Sequence, residues 1–258
     1  MSDTQFVDAA VRAARLAGTV LQEWADKFTV KHKSHVADLV TEADLAAQNV
    51  IYDALHGQFA DHGFLGEEGL QHDGADSAYR WVIDPLDGTS NYVHGYPAYA
   101  VSIGLEHQGK LVAGVIFDPN KDEMFTAAKG QGAALNGRPL HVSNTDELSQ
   151  SMLVASFPPG VKSDGPEIAR FLNVLPQAQT IHRTGSAALN LAYIAAGRME
   201  GYWSTSLKPW DMAAGVLIVR EAGGQVTACD GQPWVLEEAD LLVTNGTAIH
   251  AELIDLLT

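Results

Sequence analysis

Asp84-Pro85-Leu86-Asp87-Gly88-Thr89-Ser90-Asn91 sets two carboxylates three residues apart, with a glycine and two hydroxyl residues directly after them. Hard divalent cations take oxygen ligands, and a phosphate or an attacking water needs donors beside such cations. Before this stretch runs Arg80-Trp81-Val82-Ile83, which predicts a short buried strand ending at the Asp84-Pro85 turn, since proline has no N–H for a ladder. A structural explanation stays open, because Asp-Pro and Asp-Gly are both turn dipeptides. Yet two carboxylates behind a buried strand repel each other unless a cation offsets them. Gly88-Thr89-Ser90-Asn91 can also open a helix whose free N–H groups face an anion.

Working outward, Asp38-Leu39-Val40-Thr41-Glu42-Ala43-Asp44 leads into a predicted helix over 42–55. Taken alone it reads as an N-cap: Thr41 caps, and Glu42 and Asp44 favour the positive end of the dipole. Gly66-Glu67-Glu68-Gly69 reads alone as a surface turn. Lys208-Pro209-Trp210-Asp211 puts a carboxylate at the start of an apolar helix over 211–222, stopped by Gly223-Gly224. A dipole role explains Asp211, but its apolar surroundings make an unpaired carboxylate costly. Thr184-Gly185-Ser186-Ala187 opens a predicted helix over 187–196, either capped by Ser186 or cradling a phosphate. Together the acids and two anion-ready helix starts, with no basic cradle, form a coherent site for metal-assisted phosphate chemistry. No GxxxxGK[ST] loop or Gly-x-Ser-x-Gly elbow is present. His182 has no partner at metal spacing.

The remaining pattern is mixed. Val7, Ala10, Val11, Ala14, Ala17, Leu21 and Trp24 recur at helical spacing. Residues 100–105 and 111–117 read as a hairpin about Gln108-Gly109-Lys110, followed by a strand over 124–128 and a glycine-marked turn region over 130–139. A polar stretch over 143–149 marks a boundary between halves 1–145 and 146–258. Beyond it, strands over 152–156, 225–228 and 241–244 alternate with helices, including one over 167–175 and a short one at the end, as in an α/β layered domain.

The chain's 258 residues carry a formal net charge of −16, which argues against nucleic acid or an anionic membrane as a partner. A small phosphorylated substrate remains compatible, because bound metal reverses the local sign. A single cysteine, Cys229, excludes an intramolecular disulfide and a Cys-based zinc site. No secretory signal or membrane-length apolar run is visible, so a cytoplasmic location is expected.

These motifs, in this order and over nearly the whole chain, resemble the inositol monophosphatase family of magnesium-dependent, lithium-sensitive phosphatases. The match is carried by residues 38–44, 66–68, 84–91, 185–188 and 210–215. The resemblance implies a layered αβαβα sandwich of the inositol monophosphatase and fructose-1,6-bisphosphatase type, an α+β half followed by an α/β half. It implies two or three Mg²⁺ ions held by Glu67, Asp84, Asp87, Asp211 and the Leu86 carbonyl. Asp44 and Thr89 would orient the attacking water, with Glu67 counted among the catalytic groups. Asp87, Gly88, Thr89, Gly185, Ser186, Ala187, Ser204 and Asp211 would contact the substrate, and the protein would be a homodimer. Ser204 departs from the pattern: it stands where inositol-specific members carry a glutamate acceptor, and a neutral serine has neither its charge nor its reach. Tyr202 and Trp203 are open between pocket wall and core. Inositol 1-phosphate is the leading substrate; histidinol phosphate, fructose 1,6-bisphosphate and a 3′-phosphonucleotide are the rivals. A regulatory binding protein of the same fold, acting through a partner, is the reading from another class.

Overall fold

The computed structural model describes residues 3–25, 27–32, 39–75 and 78–258. The chain opens with α1 (Asp3–Trp24), whose buried face is Phe6, Ala9, Ala10, Ala13, Ala14, Ala17 and Leu21. That face shares Ala10, Ala14, Ala17 and Leu21 with the stripe read in sequence but is turned toward Phe6, Ala9 and Ala13, leaving Val7, Val11 and Trp24 partly buried at its edge. Its alanines let the helix lie close to a sheet. A short antiparallel pair, β1 (Val30–His32) and β2 (Leu39–Thr41), precedes α2 (Glu42–His56). The motif residue Asp38 lies outside the described residues. At the start of α2, Thr41 accepts from the Ala43 N–H, and the Asp44 carboxylate accepts from the Thr41 N–H in a capping box.

The next strands are β3 (Gly63–Gly66), β4 (Gln71–His72), β5 (Tyr79–Asp87), β6 (Ala100–His107), β7 (Lys110–Asp118), β8 (Glu123–Ala128), β9 (Ala133–Leu135) and β10 (Arg138–Pro139), with a short α3 (Thr89–Val93) after β5. They form an eight-stranded sheet in the order β10-β9-β8-β7-β6-β5-β3-β4, in which β3 runs parallel to β5 and the other pairs are antiparallel. The second half contributes β11 (Met152–Ala155), α4 (Pro166–Val174), β12 (Thr180–His182), α5 (Ala187–Ala195), β13 (Gly201–Ser204), α6 (Pro209–Glu221), β14 (Gln225–Thr227), β15 (Leu241–Thr244) and α7 (Ile249–Leu257). Its five strands run in the order β12-β11-β13-β15-β14.

The layers follow from which faces are apolar. Helices α1 and α2 cover one face of the large sheet, packing Ala13, Ala17, Ile51 and Leu55 against Trp81, Ile83 and Val101. The middle layer is α5 and α6, buried between both sheets against Ile116 and Phe125 on one side and Tyr202 and Val243 on the other. Helices α4 and α7 close the outer face of the small sheet. The result is an αβαβα sandwich. Helix α6 sits close to the large sheet because β6 and β7 present glycines there. A Cβ on Gly104 would stand 2.7 Å from the Ala213 Cβ, and one on Gly114 would stand 2.7 Å from the Ala214 carbonyl oxygen.

Several expectations need correcting. Strand β5 does not stop at Asp84 but continues through Pro85 to Asp87. Its pairing with β6 jumps from Asp84↔Ser102 to Asp87↔Ala100, three steps on β5 against two on β6. Proline is tolerated because a bulge leaves one residue out of the ladder. The glycine-marked region over 130–139 contains β9 and β10, strands too short to show alternation. Strands β3, β12 and β13, three or four residues each, were also hidden in short apolar runs.

Candidate active site

The bulge in β5 aims the first two carboxylates. In a regular strand, residues three apart point to opposite faces; one extra residue returns them to the same side. Asp84, Asp87 and Asp211 then bring a carboxylate oxygen each within 4.8 Å of one another. Asp211 joins them from the first turn of α6, where its carboxylate accepts the Lys208 N–H at 2.8 Å. Glu67 follows β3, the parallel neighbour of β5, and its carboxyl meets that of Asp84. Its turn is clamped from α2 by Gln48, which accepts the Glu68 N–H at 3.1 Å. Asp84 itself accepts the Leu86 N–H at 3.0 Å.

Asp44 and Thr89 form a second group beside the first. The Thr89 hydroxyl lies 3.2 Å from Asp44 Oδ1 and 3.1 Å from the Leu86 carbonyl oxygen. The other Asp44 oxygen accepts from the Thr41 N–H and hydroxyl at 2.8 and 2.6 Å. Fully buried, Asp44 is fixed as an acceptor for Thr89. Gly88 makes the chain turn between these groups: its φ is +96°, and a Cβ would stand 3.0 Å from the Ala98 carbonyl.

The helix start at α5 is occupied from within. Asp87 accepts from the Ser186 hydroxyl, the Ala187 N–H at 3.0 Å and the Ala188 N–H at 2.9 Å. Ser186 is buried and turned toward Asp87 and Leu189, so the Ser186 hydroxyl faces a protein carboxylate instead of the cavity. Gly185 and Ala187 do line the adjacent cavity of about 440 Å³, together with Asp87 and Asp211. Ser204 lies at the end of β13, buried and absent from that lining; its hydroxyl sits 3.3 Å from that of Ser206, which does reach the cavity. Tyr202 and Trp203 are core residues. Exposed His182 stands at the end of β12.

Electrostatics identify what the cluster lacks. Burial pushes the Asp84 carboxyl well above the ordinary carboxylate range, and the charges of Glu67, Asp87 and Asp211 push it further. Asp211 is raised well above that range by desolvation, then by Asp87. Asp87 is raised to about 6 by burial, against the lowering effect of Ser186 and the α5 N–H groups. A divalent cation would reverse these shifts. The donors are all carboxylate and carbonyl oxygens, the set that suits magnesium over softer metals.

Sequence reasoning missed Arg183, Phe157, Ser156 and Ser206, which line the cavity. The expectation of no basic cradle is corrected by Arg183. The one signal for it, a place two residues before Gly185, does not separate it from a solvated surface cation.

A layered αβαβα sandwich with an oxygen-donor cluster between its sheets defines a class of metal-dependent phosphatases, and comparison with known proteins agrees. The sequence model described as the inositol monophosphatase family matches residues 2–258. Over 255 residues the chain is 42% identical to an inositol-1-monophosphatase of Synechocystis sp., covering 98% of this chain and 88% of that protein. It is 41% identical to a Pseudomonas aeruginosa protein named Nus factor SuhB, covering 96% and 94%. The crystal structure of the extragenic suppressor protein suhB from Bartonella henselae superposes with a TM-score of 0.94 at 40% identity, covering 98% of both chains. This chain belongs to the inositol monophosphatase family.

Proposed function

We propose that the protein hydrolyses a small phosphate monoester with magnesium held by Glu67, Asp84, Asp87, Asp211 and the Leu86 carbonyl. The observation that carries this is the convergence of Asp84, Asp87 and Asp211 within 4.8 Å, with Asp87 and Asp211 lining a 440 Å³ cavity. Magnesium there would supply positive charge against the phosphoryl oxygens and lower the pKa of the attacking water. The chain's own part is orientation. Asp44 holds the Thr89 hydroxyl, so that Thr89 presents its oxygen to a water and sets that water in line with the ester bond. The N–H groups of α5 hold Asp87 at a fixed angle. Gly185 brings the chain close to Asn91 at the cavity edge, and the small Ala187 keeps the cavity open for the alcohol.

The ester is a small polyol or sugar-like phosphate, with inositol 1-phosphate the first to assay and histidinol phosphate the control. Asp87→Asn is expected to lower kcat by at least about a hundredfold, as loss of one electrostatic group does. Measured phosphate release that survives this change would sink the metal assignment. The relatives named Nus factor SuhB favour a second reading, in which the same fold acts through a partner. On that reading, purified wild-type protein with magnesium releases no phosphate from any of these esters.

A further inference from the structure

The cavity beside the carboxylates carries groups of both signs. Among the described residues, Asp87 and Asp211 are the acids that line it. In the same lining, the exposed Arg183 guanidinium lies 5.5 Å over the Phe157 ring and makes no ion pair among the described residues. Stacking on the ring holds it in place and leaves its N–H edge free.

Ser156, also in the lining, has its polarity set from below. Asn190 is fully buried, and its Oδ1 accepts the Thr184 hydroxyl at 2.5 Å. Its amide lies against the Tyr202 hydroxyl. The Asn190 amide nitrogen is buried there with no hydrogen-bond partner among the described residues. Tyr202 donates to Ser156 Oγ at 2.9 Å. The Ser156 proton is therefore left for the cavity. Arg183 and Ser156 thus offer the cavity a cation and an oriented donor.

We propose that the alcohol half of the substrate carries a second anionic group, a phosphate or a carboxylate, bound by Arg183 and Ser156. This rests on the phosphatase reading above. Charge-assisted donors favour an anion over a hydroxyl at the same place. Tyr202 acts as a positioning residue through Ser156.

Two matched pairs test it with magnesium-loaded full-length protein. Inositol 1-phosphate against inositol 1,4-bisphosphate adds a phosphate; glycerol 2-phosphate against 2-phosphoglycerate replaces a hydroxymethyl by a carboxylate. The expected kcat/KM favours the second member by about tenfold or more in at least one pair, the size of one charge-assisted contact. A preference in one pair alone says which anion the site takes. Arg183→Gln should bring the ratio near one, Arg183→Lys should restore part of it, and Ser156→Ala should reduce it. Tyr202→Phe should raise KM for the member with the second anionic group more than it lowers kcat. No preference in either pair, or a preference that survives Arg183→Gln, overturns the inference. Failure to release phosphate from all four esters overturns instead the phosphatase reading beneath it.

Discussion

Asp84 is the residue on which the site's cost is concentrated. Buried among Glu67, Asp87 and Asp211, it is stable in the metal-free protein only when protons or cations screen the cluster. Its folded pKa lies above its unfolded one, and so does that of Asp87, at about 6. The stabilising contribution of such groups is full below the unfolded value of 3.8 and is lost as pH rises through the folded value. In chelator, the melting temperature should therefore fall as pH is raised from about 5 to about 7, and magnesium should abolish that fall by binding the deprotonated form. Parallel pH slopes with and without magnesium would refute this. Asp84→Asn should raise the chelator melting temperature at about pH 7 while removing activity. The roles of Asp44 and Thr89 came only with the family resemblance, residues 38–44 reading alone as a helix cap, whereas the grouping of Asp84, Asp87 and Asp211 was legible because carboxylates set against apolar segments are costly without a cation. Arg183 was not, since an arginine after a short strand looks like any solvated cation. Nor was the inward turn of Ser186, because sequence does not say which anion, substrate or Asp87, takes a helix N-terminus.

At the scale of elements, α6 is the part whose placement matters most, because it carries Asp211 at one end and lies on bare glycine backbone of β6 and β7. Gly114→Ala should push the helix outward, costing about 1–3 kcal/mol of stability by overpacking. It should also weaken magnesium binding, since Asp211 moves with the helix. Denaturant melts and a magnesium titration would check both; unchanged stability would show that the helix does not depend on this approach. The amphipathic α1, the β6–β7 hairpin and the α5 and α6 helices could be read from periodicity alone. Strand β5 could only be read in part, since proline signals the end of a ladder and the bulge that accommodates it depends on the partner strand.

For the whole molecule, the two sheets draw their strands from either side of the 143–149 stretch, yet α5 and α6 are packed by both. We propose that 1–145 and 146–258 are halves of one cooperative unit: full-length protein should unfold in a single transition, 1–145 alone should expose the sheet face that α5 and α6 cover, and 146–258 alone should expose the apolar face of those helices. A separately folded half with a cooperative melt would contradict this. No described helix is long and apolar enough to cross a membrane. The bulge at Pro85 has a last consequence. It hangs Asp84 and Asp87 from an interior strand of the larger sheet, whereas Ser156, Arg183 and Ser206 sit at strand ends and in loops of the smaller one. Asp211 apart, the acids and the groups proposed to select the ester therefore occupy separately mutable ground, so a lineage can retool which ester it accepts while inheriting the same reaction.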